Sequence, residues 1–145
     1  MDPRWPAHSI RSIALDDMPL TSSTTSDTLA LAQRAAQAAL DNKAVDVVLL
    51  DLRGVTDMTD FFIIASGTSD THVRSIGEHV LADMKREGSP AHHVEGLEKG
   101  RWVLLDFVDF VVHVFHPTLR SFYQLERLWG DAERIPLDGA QGSGA

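Results

Sequence analysis

The segment Ser66–Asp70, which reads SGTSD, combines residue types that can bind a phosphate. A glycine and hydroxyl side chains stand directly before a predicted helix, whose first backbone amides could hold an anion. The segment has neither the GxGxxG fingerprint nor a P-loop that ends in Lys-Ser or Lys-Thr. The favoured interpretation is therefore structural, with a turn at Gly67 and a helix cap at Ser69 or Asp70.

Metal-dependent nucleotidyl or phosphoryl transfer would also need paired carboxylates beside this turn. Asp106 and Asp109 are the candidate pair. Residues three apart in an extended chain point to opposite faces, so a turn between two strands is the favoured role for both. A nucleotide-dependent transferase stays open as the alternative function, without a complete motif to support it.

The seven histidines raise the possibility of a metal site. The pairs His92/His93 and His113/His116 have spacings that place the two side chains on opposite sides of a strand. No cysteine is present to complete a tetrahedral site, and no GxSxG motif indicates a nucleophilic serine. We predict no metal, no cofactor and no catalytic residue.

Large side chains that also carry a polar group are concentrated late in the chain. Such residues often anchor interfaces, because each buries a large area and still offers a hydrogen bond or a charge. For Trp102, Arg120 and Tyr123 the sequence leaves core and interface roles open. The whole group comprises Trp102, Phe107, His113, Arg120, Tyr123 and Trp129.

Length and composition are typical of one globular domain: the chain has 145 residues, 43% hydrophobic and 23% charged. The formal net charge of -8 argues against broad nucleic-acid binding, which needs a basic excess. The absence of cysteine fits a reducing compartment, so a cytoplasmic location is expected. No apolar stretch approaches the roughly 20 residues that span a bilayer, and no membrane partner is expected.

Two terminal segments fall outside the predicted domain. Residues 1–25 contain prolines and a Ser/Thr run and are predicted to be a flexible N-terminal extension. Residues 138–145 are mostly Gly and Ala and are predicted to be a disordered tail. Residues 26–137 remain as one folded domain.

The domain begins with a predicted helix followed by a hairpin. Ser26 is a candidate N-cap for an Ala-rich helix that ends near Asn42. Residues 45–52 and 61–66 are rich in β-branched, Leu or Phe side chains, which is typical of strands. The connection between them is too short for a helical crossover, so the two strands are predicted to be antiparallel.

A second amphipathic helix begins at Ser69 or Asp70 and ends before Gly88 and Pro90. Its predicted buried stripe consists of Val73, Ile76, Val80 and Met84. The residues predicted to face outward are Arg74, Glu78, Asp83 and Lys85.

The remaining elements complete one mixed sheet. Residues 92–94 predict a short strand, able to pair parallel in the same sheet through a right-handed crossover. Residues 102–106 and 110–115 predict two further strands, followed by a helix that starts at Pro117 and buries Leu119, Phe122, Leu125 and Trp129. The predicted order is α-β-β-α-β-β-β-α, an α+β fold with a single mixed sheet of about five strands and three helices.

Residues 51–79 read DLRGVTDMTDFFIIASGTSDTHVRSIGEH and form the longest of several recognisable blocks of sequence. Taken together and in matching order, these blocks resemble the ribosomal silencing factor (RsfS) family, also called the Iojap family. The resemblance covers about residues 27–135. Its other blocks are Glu95-Gly96, WVLLD at 102–106, Asp109, VVHVF at 111–115, Arg120, Phe122-Tyr123 and LERLW at 125–129.

The resemblance implies a fold related to nucleotidyltransferases, without their activity. It also implies binding to ribosomal protein number fourteen of the large subunit, which blocks joining of the small subunit and represses translation under nutrient limitation. Trp102 and Tyr123 are then the expected anchors, and Asp106, Asp109 and Arg120 the expected polar contacts or positioning groups. A homodimer is a further expectation, and a dimeric adaptor with no ribosomal role is a third reading of the aromatic cluster.

One position departs from the resemblance. Family members usually carry Gly before the second Asp of the last strand connection, whereas this chain has Val108 before Asp109. A β-branched residue tolerates a positive φ angle poorly, so we expect a different turn geometry or loop length between Asp106 and Asp109.

Overall fold

The computed structural model describes residues 21–119 and 132–137, with side chains from Asp27 onward. Its described elements follow the predicted order and add a strand near the C-terminus. They are α1 (Thr21–Asp41), β1 (Val45–Asp51), β2 (Phe61–Ser66), α2 (Asp70–Arg86), β3 (His93–Glu95), β4 (Trp102–Asp106), β5 (Phe110–Phe115) and β6 (Glu133–Ile135). Residues 117–119 are helical, at the start of the predicted last helix, whose positions 122, 125 and 129 lie outside the described residues.

The strands form one mixed sheet in the order β3-β4-β5-β2-β1-β6, which confirms the predicted fold class. β1 and β2 form the predicted antiparallel hairpin. The predicted parallel pairing of the 92–94 strand is wrong, because β3 pairs antiparallel with β4 at the sheet edge. β5 instead lies parallel beside β2, where the six residue pairs from Phe61↔Phe110 to Ser66↔Phe115 leave no room for β3.

One face of the sheet is covered by the two helices. Val73, Ile76, Val80 and Met84 of α2 are fully buried, as predicted. α1 contributes a stripe of alanines to the same core, and small side chains allow close packing. α1 begins at Thr21, so the N-cap predicted at Ser26 is wrong. Ser69 is the N-cap of α2, and its side chain accepts the His72 N–H.

Asp83 corrects the predicted outer face of α2, because its side chain is buried rather than exposed. It accepts hydrogen bonds from Arg34 Nε of α1 and from Arg86 Nη2, each at 2.8 Å. The Arg34 hydrogen bond is the main reason that the pKa of Asp83 lies below its usual value. The carboxylate therefore joins the two helices through charge-assisted hydrogen bonds.

The opposite face of the sheet carries a second apolar cluster with more aromatic character. Trp102 packs against it half-buried, and so do Leu119 and Ala132, the residues on either side of the undescribed segment 120–131. The buried members are Leu50, Leu52, Phe62, Ile64, Leu104, Val111 and Phe115. Trp102, one of the predicted interface candidates, is therefore on this second face, whereas Phe107, another candidate, packs in the core under the helices.

Candidate partner-binding site

Trp102 starts β4 and lies opposite Phe115 of β5. Its indole ring packs on the Phe115 ring, with 5.1 Å between ring centroids, and donates its Nε1–H to Nδ1 of His113 at 3.1 Å. The side chain is only partly buried. Trp102 thus keeps part of its surface exposed at one end of the sheet, in an orientation fixed by contacts within the chain.

His113, the acceptor of this hydrogen bond, is completely buried on β5. Its ring meets the edge of Phe62 in a T-shaped contact with 4.7 Å between centroids. Burial lowers the pKa of His113 to about 3, because no water can solvate the charged form. The ring is therefore neutral near pH 7, and Nδ1 can accept the indole N–H.

The loop before Trp102 is held in place by two glycines that side chains could not replace. Gly96 and Gly100 both have positive φ angles, 84° and 67°. A Cβ on Gly96 would collide with the carbonyl of Trp102, and one on Gly100 with the carbonyl of Asp70. This close packing against the first turn of α2 fixes where β4 begins, and with it the position of Trp102.

Asp106 lies at the other end of β4, where it is buried and shapes a turn. Its Oδ1 accepts the Val108 N–H at 2.8 Å. The Thr59 hydroxyl donates to the Val108 carbonyl at 3.2 Å, and the Asp60 N–H donates to the Asp109 carbonyl at 2.9 Å. The connection after β1 therefore clamps the turn between β4 and β5.

Val108 adopts φ +76°, the positive φ angle that the sequence argues against for a β-branched residue. The Asp109 N–H donates to the Phe107 carbonyl at 2.9 Å, which closes a three-residue γ-turn around Val108. A β-branched residue in this region costs about 1–3 kcal/mol and persists only where neighbours over-determine the backbone. The clamp formed by Asp106, Thr59 and Asp60 supplies that restraint.

The predicted site residues do not form one cluster. Trp102 pairs with Phe115, whereas Asp106 pairs with Val111 at the far end of the same strand. At the strand rise of about 3.3 Å per residue, their Cα atoms lie about 13 Å apart. The remaining two candidates, Arg120 and Tyr123, lie outside the described residues.

The structure also separates the two features that a transferase would need, the phosphate-binding turn and the metal-binding carboxylates. Several groups of the Ser66–Asp70 turn are already used, since the Gly67 N–H donates to the Phe115 carbonyl and the Thr68 N–H to Nδ1 of His72. The carboxylates of Asp106 and Asp109 lie at the opposite end of the sheet, about 16 Å away along β2. The turn and the predicted metal ligands therefore do not meet.

Within residues 21–119 and 132–137, no three His, Asp or Glu side chains are placed to hold a metal ion together. In the same ranges, no helix is both long and apolar enough to cross a membrane.

Comparison with known families settles which family this chain resembles. A family model described as "Ribosomal silencing factor during starvation" matches residues 25–144. The chain belongs to the RsfS family. The match spans both ends of β4 and reaches beyond β6, so it includes Trp102 together with the clamped turn.

Individual relatives agree with the RsfS assignment. Ribosomal silencing factor RsfS of Halalkalibacterium halodurans is 42% identical over 109 residues, which cover 75% of this chain and 93% of that protein. A crystal structure of a Chromobacterium violaceum protein superposes with a TM-score of 0.69 at 32% identity, covering 81% of this chain and 98% of the other. The mouse protein named "Mitochondrial assembly of ribosomal large subunit protein 1" is 30% identical over 89 residues, 59% of this chain and 39% of its own length.

Sequence reasoning missed Thr59, and for His113, one of the interface candidates, it missed the hydrogen bond to Trp102. For His113 a signal exists in the hairpin register. A connection at 107–109 places Trp102 opposite Phe115 and therefore diagonal to His113 on the same face, where long side chains can meet. For Thr59 no local signal exists, because its partner Val108 is 49 residues away in sequence.

Proposed function

We propose that this chain binds the large ribosomal subunit through ribosomal protein number fourteen and sterically blocks joining of the small subunit. Translation is thereby repressed under nutrient limitation, with the cytoplasm as the place of action and no chemical step by this chain. The observation that carries the proposal is the RsfS match over residues 25–144. The name of the mouse relative, which refers to the ribosomal large subunit, supports the same partner.

The proposed docking group is the Trp102 end of β4. A half-buried indole on a rigid strand can lose its remaining exposed area to a partner while it loses little conformational freedom. Asp106 is buried and Asp109 is half-buried at the other end, where the backbone of both residues belongs to the clamped turn. We therefore propose that these two aspartates shape the turn rather than contact the partner, and we keep Arg120 and Tyr123 as proposed contacts on the strength of the family resemblance.

Electrostatic attraction is the proposed means of encounter. The formal net charge of -8 favours approach to a basic protein set in ribosomal RNA, although it disfavours broad contact with the RNA itself. Long-range attraction mainly raises the association rate, whereas packed anchors such as Trp102 determine how long the complex lasts.

The proposed function is tested with purified ribosomal subunits. The protein should co-sediment with isolated large subunits and not with small ones, and light scattering should show fewer joined ribosomes when it is added first. Added after joining, it should have much less effect, because the proposed surface is then covered. Absence of co-sedimentation, or joining that proceeds unchanged at saturating protein, would contradict the proposal.

A second copy of the chain is a further proposed partner. β3 and β6 are the outermost strands of the described sheet, and edge strands offer backbone groups for pairing with another chain. Sedimentation velocity over a range of concentrations should show a dimer. If the protein forms a dimer but does not bind large subunits, the adaptor interpretation replaces the ribosomal one.

A further inference from the structure

We propose that His113 is a positioning residue for partner binding, because its Nδ1 accepts the indole N–H of the partly exposed Trp102 and so directs the polar group of the ring into the protein. The partner surface that meets Trp102 is accordingly apolar. This inference rests on the proposed function and deepens it, since it names the chemistry of the contact at Trp102.

The hydrogen-bonding capacity of the two rings carries the first step. An indole has a single N–H donor and no acceptor. That donor is directed to Nδ1 of His113 at 3.1 Å. Because the only strong polar group of Trp102 is directed inward, a partner gains most from packing hydrocarbon against the rest of the ring.

The rigidity of His113 carries the second step. Its ring is fully buried, lies edge-on to Phe62 and stacks nearly parallel to Phe115, with 8° between planes and 6.1 Å between centroids. Phe115 also packs against Trp102. The acceptor atom is thus held still by the sheet, so the indole is presented in one orientation before the partner arrives and less freedom is lost on binding.

A purely structural role explains the choice of histidine poorly. With Nδ1 accepting, the neutral ring carries its proton on Nε2, and this buried atom has no hydrogen-bond partner among residues 27–119 and 132–137. A buried polar group without a partner destabilises the fold, whereas an apolar ring of similar size would not. The unpaired Nε2 thus lowers stability, while Nδ1 of the same ring holds the indole N–H of Trp102.

The test compares three substitutions of His113 that differ in the acceptor. His113→Phe and His113→Leu remove the acceptor and keep a large apolar side chain, whereas His113→Asn keeps an oxygen close to the position of Nδ1. The measurements are the melting temperature, the affinity for purified large subunits, and the hydrogen exchange of the Trp102 Nε1–H by NMR. The three indole signals come from three tryptophans, and Trp102→Phe assigns the relevant one.

The expected result is a separation of stability from binding. His113→Phe and His113→Leu should melt close to the parent protein, bind about tenfold more weakly, and exchange the indole proton at least about tenfold faster. His113→Asn should recover part of both losses. In a Trp102→Ala background, His113→Phe should weaken binding no further, since the residue acts only through the indole.

Different failures have different meanings. Unchanged indole exchange or unchanged affinity in both acceptor-free variants overturns the role of His113, even if the parent protein binds large subunits. If instead the parent protein does not bind large subunits, the proposed function fails, and the role of His113 in binding fails with it, although the exchange data still report whether the histidine holds the indole. Val80→Ala, in the core on the other face of the sheet, is the control for general destabilisation.

Discussion

The two ends of β4 use similar interactions for different purposes. At the first end, Trp102 is partly exposed, and its hydrogen bond to buried His113 fixes the orientation of the indole. At the second end, Asp106 is buried, and its hydrogen bond to Val108 turns the chain back into β5. At one end of the strand a side-chain hydrogen bond orients the Trp102 indole, and at the other end a different one shapes the backbone of the turn.

The comparison shows why residue type alone does not locate a binding site. Aspartates are natural contacts for a basic partner, yet Asp106 is turned into the protein by the turn that it stabilises. Tryptophan is a natural core residue, yet Trp102 stays partly exposed at the position where the strand begins. Position along β4 decides which of the two residues a partner can reach.

The largest expected effect is at the clamped end of β4. Asp106→Ala removes the acceptor for the Val108 N–H and should lower the free energy of unfolding by about 2–3 kcal/mol, because the buried amide is left without its charged partner. Urea titration measures this loss. Affinity for large subunits, measured on the folded fraction, should stay the same; a folded variant that binds much more weakly would remove the distinction between the two ends.

A pH titration tests the buried histidine at the Trp102 end. The pKa of His113 is about 3 in the folded protein and near 6.5 when unfolded, so the unfolded state binds an extra proton between these values. The contribution of neutral His113 to the free energy of unfolding is complete well above pH 6.5. The free energy of unfolding should fall by about 1 kcal/mol per pH unit as the pH drops from 6.5 to 4.5. His113→Phe should remove this slope, and an unchanged slope in that variant would assign it to other groups.

The range above pH 4.5 separates His113 from the paired carboxylates. Hydrogen bonds from Arg34 lower the pKa of Asp83, and hydrogen bonds from Arg53 lower that of Asp51. Both stabilise the fold above their unfolded pKa of 3.8 and lose that contribution only at more acidic pH.

Val108→Gly tests whether the turn stores backbone strain. Glycine adopts φ +76° without a steric penalty, so the free energy of unfolding of the variant should be about 1 kcal/mol higher than that of the parent protein. This figure is net of the entropy that glycine adds to the unfolded chain. Differential scanning calorimetry measures the change. Val108→Ala is the matched control, since it shortens the side chain and keeps a Cβ; equal stability of the two variants would contradict the strain.

The smallest expected effect concerns charge. Raising the salt concentration from roughly 0.05 to 0.5 M should slow association with large subunits severalfold and change dissociation little, because screening acts on the approach. Stopped-flow kinetics of the parent protein and of Trp102→Ala would measure the association and dissociation rates separately. A salt effect mainly on dissociation would place charges, rather than the indole, at the centre of the contact.

Local sequence patterns predicted most of the elements correctly, and non-local contacts account for the errors. The bounds of β2, β4 and β5 were predicted because alternating or continuous apolar residues mark them clearly. β6 has only three residues and exists through its pairing with β1, so it has no pattern of its own. The start of α1 was missed because Ser and Thr are weak helix formers, but extending an existing helix costs little per residue.

The site was predictable in its residue types and not in its geometry. Trp102 was recognisable as an anchor candidate from its size and its place at the start of a strand. The burial of Asp83 and the φ angle of Val108 depend on Arg34 and Thr59, which are 49 residues away in each case. Periodicity shows which face of an element is apolar, but it does not show which side chain of another element lies beside it.

The most direct test of this account compares one change at each end of β4. Trp102→Ala removes the proposed anchor, whereas Asp106→Asn removes a charge and keeps an acceptor for the Val108 N–H, so both variants should fold. The affinity of each for purified large subunits is measured beside that of the parent protein. We predict that Trp102→Ala weakens binding about thirtyfold, as loss of about 2 kcal/mol requires, and that Asp106→Asn stays within about twofold. Full affinity in Trp102→Ala together with a large loss in Asp106→Asn would contradict the account.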